Sequence, residues 1–355
     1  MTVLTANAAA LLAGPRGRRL CLEYAMAVNP ELGQVMFLVA HQAAPERSVL
    51  ITLTGDGRDG SEPSPPAFTV ADAVALIATT DLREIDTASL RAALRTSVDV
   101  AMYWQPPDGH DTVCALPDMR AALAPVAKAL LASPTGTSWK AARAEEQWAV
   151  DWHAPMDASP LPSNTMALLT TWDRWHREEE ARAALEPPPE MFSGTWWSAP
   201  GAPLRTRGHV ADALELVEDN AGLEVATVIP IRDNGSARVL EITSAHDWAS
   251  LCRTFPLEVT ASRRGDWFHV TGRDRRRLLP EWSRVALDWD AVHLTTFAYL
   301  SAATSLIEID DEYASVIGGW GPDATLWLTD TTHESNEPRQ HWVRDPGTGE
   351  WARKL

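Results

Sequence analysis

Two proline-rich segments, residues 153–164 ("HAPMDASPLPSN") and 186–190 ("EPPPE"), restrict the fold of this 355-residue chain more than any other feature. Proline lacks the amide donor and fixes φ, so neither segment continues a helix or enters the middle of a sheet. Between them, "TMALLTTWDRWHREEEARAAL" carries Met166, Leu169, Trp172 and Leu185 at roughly helical spacing. The reading is an N-terminal unit over 1–155, a proline-bounded linker helix over 156–189 and a C-terminal unit over 190–355. Two units are also the ordinary expectation for this length.

Short β-rich runs open the first unit: "RRLCLEYAMAV", "QVMFLVAHQ" and "RSVLITLT", which predict a small antiparallel meander over Arg18–Thr54. The Gly/Pro/Asp-rich stretch "GDGRDGSEPSPPAF" reads as a solvated loop, because its Asp56 and Asp59 lack the closing Glu of a calcium loop. Helical periodicity follows, with Thr69, Asp86 and Asp118 as N-caps and Pro125 as a kink. "YWQPPDGHD" reads as a packed loop. A meander plus helices is an α+β unit.

In the second unit "SGTWWSAP", "ALELVED", "LEVATVIPI" and "ARVLEI" read as strands. "SAHDWASLCRTF" reads as a helix capped by Ser244, and "PEWSRVALDW" as one with Pro280 in its first turn. "AVHLT" and "ATLWLT" return to strand, and "QHWVRDPGTGEWARKL" forms a closing hairpin. The fold class is therefore α+β, with a small antiparallel sheet and helices first and a mixed, mostly antiparallel sheet with short helices second.

The net charge of −17 opposes nucleic-acid binding and attraction to anionic membranes. Lys128, Lys140 and Lys354 are the only lysines among 31 basic side chains, which leaves few groups for Schiff-base or phosphate-loop chemistry. Cys21, Cys114 and Cys252 lie far apart among apolar neighbours and read as free thiols of a reducing, cytoplasmic compartment, with no metal site. The N-terminus lacks the basic start of a signal peptide, and no run approaches the roughly 20 apolar residues of a membrane span. Sixteen tryptophans, ten of them after Glu190, supply core anchors and the lining of a cleft.

Phosphate-loop, Rossmann, serine-hydrolase and zinc-protease motifs are all absent from the sequence. "SRRGDWFHVTGRDRRR" concentrates arginines beside Trp267, Phe268 and His269, which reads as a salt-bridging patch or a contact for an anionic substrate. Strand alternation splits the carboxylates of "IEIDDEY" between two faces, a solvated edge. His293 reads as a satisfied core histidine or a catalytic one, with Thr295 on its face. Asp323 stands between a Gly/Pro turn and an apolar strand.

Three widely spaced blocks, "GTWWSAP", "ARVLEI" followed by "DW", and "WSRVALDWDAVHLT" leading to "GWGPDATLWL", resemble the pattern of bacterial ADP-ribosyltransferase-type proteins. The resemblance covers about 140 residues of the C-terminal half. It implies a split β-fold that binds NAD as substrate in a cleft, with an acceptor protein or small molecule as partner. It places Trp196, Trp197 and Ser198 beside the nicotinamide, Arg205, His293 and Thr295 among the NAD contacts, and Asp323 as the catalytic acid. Two positions depart from the pattern: Asp323 is shorter than the usual Glu, and no single first-strand Arg or His stands out among Arg205, Arg207 and His209. The alternative is a non-catalytic interaction module with a Trp-rich binding surface.

Overall fold

Proline opens the two helices that begin the chain's interior. The computed structural model describes residues 3–45, 68–103, 105–153, 161–186, 196–220 and 222–354. Over these it has fourteen helices: α1 (Val3–Ala13), α2 (Pro15–Val28), α3 (Pro30–Ala43), α4 (Val70–Ala78), α5 (Thr87–Asp99), α6 (Gly109–Cys114), α7 (Pro117–Ala132), α8 (Pro134–Ser138), α9 (Thr165–Leu185), α10 (Val210–Glu215), α11 (Ala245–Thr254), α12 (Arg264–Thr271), α13 (Trp282–Asp288) and α14 (Thr296–Ala302). Thirteen strands accompany them: β1 (Gln147–Asp151), β2 (Arg205–Arg207), β3 (Val225–Asp233), β4 (Val239–Ile242), β5 (Pro256–Glu258), β6 (Arg276–Pro280), β7 (Ala291–Leu294), β8 (Ile307–Glu308), β9 (Tyr313–Ser315), β10 (Ala324–Trp327), β11 (Thr332–Glu334), β12 (Gln340–Arg344) and β13 (Trp351–Arg353).

The expected N-terminal meander is not there: its first two runs lie in α2 and α3. Pro15 and Pro30 sit in the first turns, where a missing amide costs nothing, and the Asn29 side chain accepts from Leu32 N to cap α3. Helix α2 is buried from Arg16 to Leu22 without a break, and its N-cap, Gly14, offers no side-chain cap to announce it. The third run, "RSVLITLT", and most of the loop after it lie outside the described residues.

Local signals succeed where a cap announces the helix. Thr69 and Asp72 form a reciprocal capping box on α4, Asp86 caps α5 and Ser244 caps α11. Asp118 lies inside the first turn of α7, whose N-cap is Leu116, and Pro125 is accommodated within that helix. Asp108, in the expected loop, instead caps α6. Three C-terminal assignments change: Trp196–Pro200 is irregular, Ala213–Glu215 belongs to α10, and Pro280 ends β6 ahead of α13.

The main sheet runs β13-β12-β3-β1-β2-β10-β7-β4, with β11 also on β3, and is antiparallel except where β4 pairs with β7. A smaller sheet runs β5-β6-β9-β8. Strand β1 falls within the expected first unit, yet it lies between β3 and β2 of the large sheet. One apolar cluster joins Leu20, Tyr24 and Leu123 to Trp248, Trp282 and Leu326, so residues of both expected units share a core. Helix α9 buries Leu169 but leaves Met166 and Leu185 exposed, and it is fastened polarly: Asp173 accepts from Trp282 N and Ser283 N, and Glu180 from Ala261 N and Ser262 N. The result is an α+β fold. Among the described residues no helix is long and apolar enough to cross a membrane.

Trp248, Trp282 and Trp320 meet with ring centroids 5.7–6.3 Å apart, all fully buried. The Trp320 indole also donates to Ala324 O at 3.1 Å. Trp320→Ala should lower unfolding stability by about 3–5 kcal/mol, measured by urea denaturation.

Candidate functional site

His293 bridges three strands. It lies on β7 between Glu241 of β4 and Thr325 of β10, and its ring reaches a carboxylate on each side. Nδ1 meets Glu241 Oε2 at 2.5 Å and Nε2 meets Asp323 Oδ1 at 3.2 Å. The outer oxygens are held too: Glu241 Oε1 accepts from Arg143 N and Asp323 Oδ2 from Gly208 N. Asp323 holds this position with a left-handed φ of 52°, an uncommon backbone state for a non-glycine residue. Burial opposes charge on His293, but the hydrogen bonds its ring donates to Asp323 and Glu241 outweigh it and raise its pKa above 6.5. With both nitrogens engaged, the ring ties strands together and has no free position from which to take a substrate proton.

A second constellation surrounds the Trp-Trp pair. Ser198 Oγ donates to Gly318 O and accepts from Gly318 N, both at 2.9 Å, and Trp282 Nε1 donates to Ser198 O. This clasp holds the preceding indoles: Trp196 stacks on Tyr103 at 5.0 Å and meets Trp197 at 4.8 Å. Gly319, with φ 70°, passes so close that a Cβ there would stand 2.4 Å from Trp197 Cδ1.

Arg205 and Arg207 project from β2 to the same side, as alternate strand residues must. Arg205 donates to Gly319 O, Pro200 O and Ala199 O, and its Nε is buried without a partner. Arg207 donates to Pro322 O and Leu216 O. Among the described residues neither guanidinium forms an ion pair with a carboxylate. Burial and the neighbouring Arg207 push Arg205 down to about 10, and burial lowers Arg207 as well. Glu218 stands nearby; its Oε1 accepts from Tyr103 Oη at 2.6 Å and Tyr299 Oη at 2.9 Å, while Oε2 is buried and unpartnered. Burial raises the Glu218 pKa, against the opposing pull of both tyrosines, Arg205 and the Gly319 amide. Trp148, Trp152, Trp196, Trp197, the two arginines and Glu218 line a cavity of about 270 Å³.

Of the residues named from sequence, Trp196, Trp197 and Arg205 share this cavity, with Ser198 beneath it. Asp323 does not join them; it lines a separate cavity of about 260 Å³ with Arg91, His209 and Asp212. Thr295 has left the strand to cap α14, donating to Ile242 O. Glu218, the carboxyl that does meet the tryptophans, was hidden within a segment read as a strand. The arginine-rich segment is largely internally paired: Arg263 with Glu179, Arg275 with Glu308, and Arg276 with Glu258 and Glu312. Those last pairs also occupy two acids of "IEIDDEY". Comparisons of the chain with family models, curated proteins and solved structures give no match.

A histidine with a raised folded pKa adds stability that is complete below its unfolded value of 6.5 and is lost as pH rises through the folded value. The stability difference between wild type and His293→Gln should therefore shrink on going from about pH 6 to about pH 9 in chemical denaturation. A difference that grows over that range contradicts a charged bridge.

Proposed function

We propose that the chain binds NAD as a substrate in the Trp-Arg cavity and cleaves its nicotinamide–ribose bond, transferring ADP-ribose to an acceptor or to water. One observation supports this most: two adjacent, largely buried guanidinium groups with no carboxylate ion pair stand within an aromatic wall. Indoles stack on planar rings, and guanidinium groups prefer phosphate oxygens. The cavity matches a ring and one phosphate, so the rest of a dinucleotide would extend across its open mouth.

In this reading Glu218 replaces Asp323 as the site's acid. When the C1′–N bond breaks, its electron pair leaves with nicotinamide and positive charge develops on the ribose. A fixed carboxylate in a partly dry cavity stabilises that charge better than water does. The tyrosine hydroxyls hold Glu218 in place, and an acceptor hydroxyl or water then bonds to C1′ and releases a proton.

Arg205→Gln should weaken NAD binding about tenfold or more in calorimetric titration. Glu218→Gln should retain binding and lose nicotinamide release, whereas Asp323→Asn should keep both. Release should rise with pH through the elevated Glu218 pKa, above the ordinary 4.5. Absence of NAD binding refutes the proposal, and loss of release in Asp323→Asn alone returns the role to that residue.

A further inference from the structure

The sequence "PRGRRL" places three arginines on α2, and they are satisfied differently. Arg16 pairs with Asp111 and donates to Ser97 O, while Arg19 meets Glu23, Asp108 and Asp111. Among the described residues Arg18 has no such partner: it is 6% exposed, it donates there to the carbonyls of Leu12 and Ala13 at the end of α1 alone, and its Nε is buried and unpartnered. Leaving a buried guanidinium without a counter-charge is costly. The cost is visible in its acidity: burial, then the nearby charge of Arg120, brings Arg18 down to about 10.

Arg18 and Arg120 both line a cavity of about 630 Å³, within the usual range of about 300–1,000 Å³ for small-molecule sites. The cavity lies between the α2 end of the helical layer and residues 270–271 and 304–306 of the C-terminal half. Arg120 is exposed and forms no ion pair among the described residues. Three arginines against two aspartates border the space, and both aspartates are already engaged by Arg16 or Arg19. Thr112, Thr271 and Ser305 add hydroxyls to the wall. Thr304, which accepts from Arg16 Nε, holds a left-handed φ of 58°, a strained state for a β-branched residue.

We propose that this cavity is a second ligand site, independent of the Trp-Arg cavity, and takes a small organic phosphate whose dianionic group lies between Arg18 and Arg120. A dianion fits better than a monocarboxylate, because two guanidinium groups repel one another until both are compensated. The apolar wall of Val100, Met102 and Val270 accommodates the remainder of the molecule.

Calorimetric titration of the full chain with a sugar monophosphate, inorganic phosphate and acetate tests this. Saturable binding of the sugar monophosphate, weaker binding of phosphate and none of acetate are expected. Arg120→Gln, on an exposed side chain, should weaken the sugar phosphate about tenfold with circular dichroism unchanged, and Arg18→Gln should do the same or more. Arg205→Gln should leave this binding unaltered, which separates the site from the proposed NAD cavity. Absence of saturable binding, affinity unchanged in Arg120→Gln, acetate binding as tightly as the phosphate, or loss in Arg205→Gln each overturns the proposal.

Discussion

The clasp between Ser198 and Gly318 governs the arrangement of the C-terminal half. Two segments 120 residues apart meet where one hydroxyl donates to the carbonyl and accepts from the amide of a single residue, both buried. A buried hydroxyl left unpaired would cost on the order of 1–3 kcal/mol, so each partner requires the other. The tryptophan pair before Ser198 and the Gly319–Trp320 turn after Gly318 are thereby brought face to face. Trp320 completes the indole cluster beneath, and Gly319 O supplies an acceptor for Arg205 above. Core packing and cavity geometry share this one contact.

Charge is distributed unusually. A chain with a net charge of −17 carries several arginines in its interior, some paired with carboxylates and others hydrogen-bonded to backbone carbonyls. Arg16, Arg19 and Arg263 have acidic partners, whereas Arg18, Arg205 and Arg207 rely on carbonyls alone. Carbonyl dipoles satisfy hydrogen-bonding geometry without cancelling a full charge. Each of these three lines a cavity, Arg18 one and Arg205 and Arg207 the other, which is where the proposed ligands supply the missing anion.

Legibility of the sequence followed the range of the interaction. The helices capped by Thr69, Asp86 and Ser244 were readable because a cap and its amide lie three residues apart. Strands β7 and β10 and the closing hairpin β12–β13 were readable from apolar runs and turn residues. Helix α2 was not, because it starts on Gly14 and Pro15 without a side-chain cap and its run of Leu, Cys, Tyr and Val suits a strand as well as a helix. Trp196, Trp197 and Arg205 were recognised as a group, yet their companion Glu218 was not: its place depends on Tyr103 and Tyr299, each more than 80 residues away in sequence.

The α+β class, the caps of α4, α5 and α11 and the strands β3, β4, β7, β10, β12 and β13 were thus determined by residues acting on near neighbours. Only the tertiary structure decided that β1 joins the large sheet, that residues of both expected units share one core, and that Asp323 serves a histidine bridge rather than the tryptophan-lined cavity. A carboxylate next to a strand looks the same in sequence whichever way it points. Its partner is selected by strand order and register, which place Glu241, His293 and Asp323 side by side only after β4, β7 and β10 have paired.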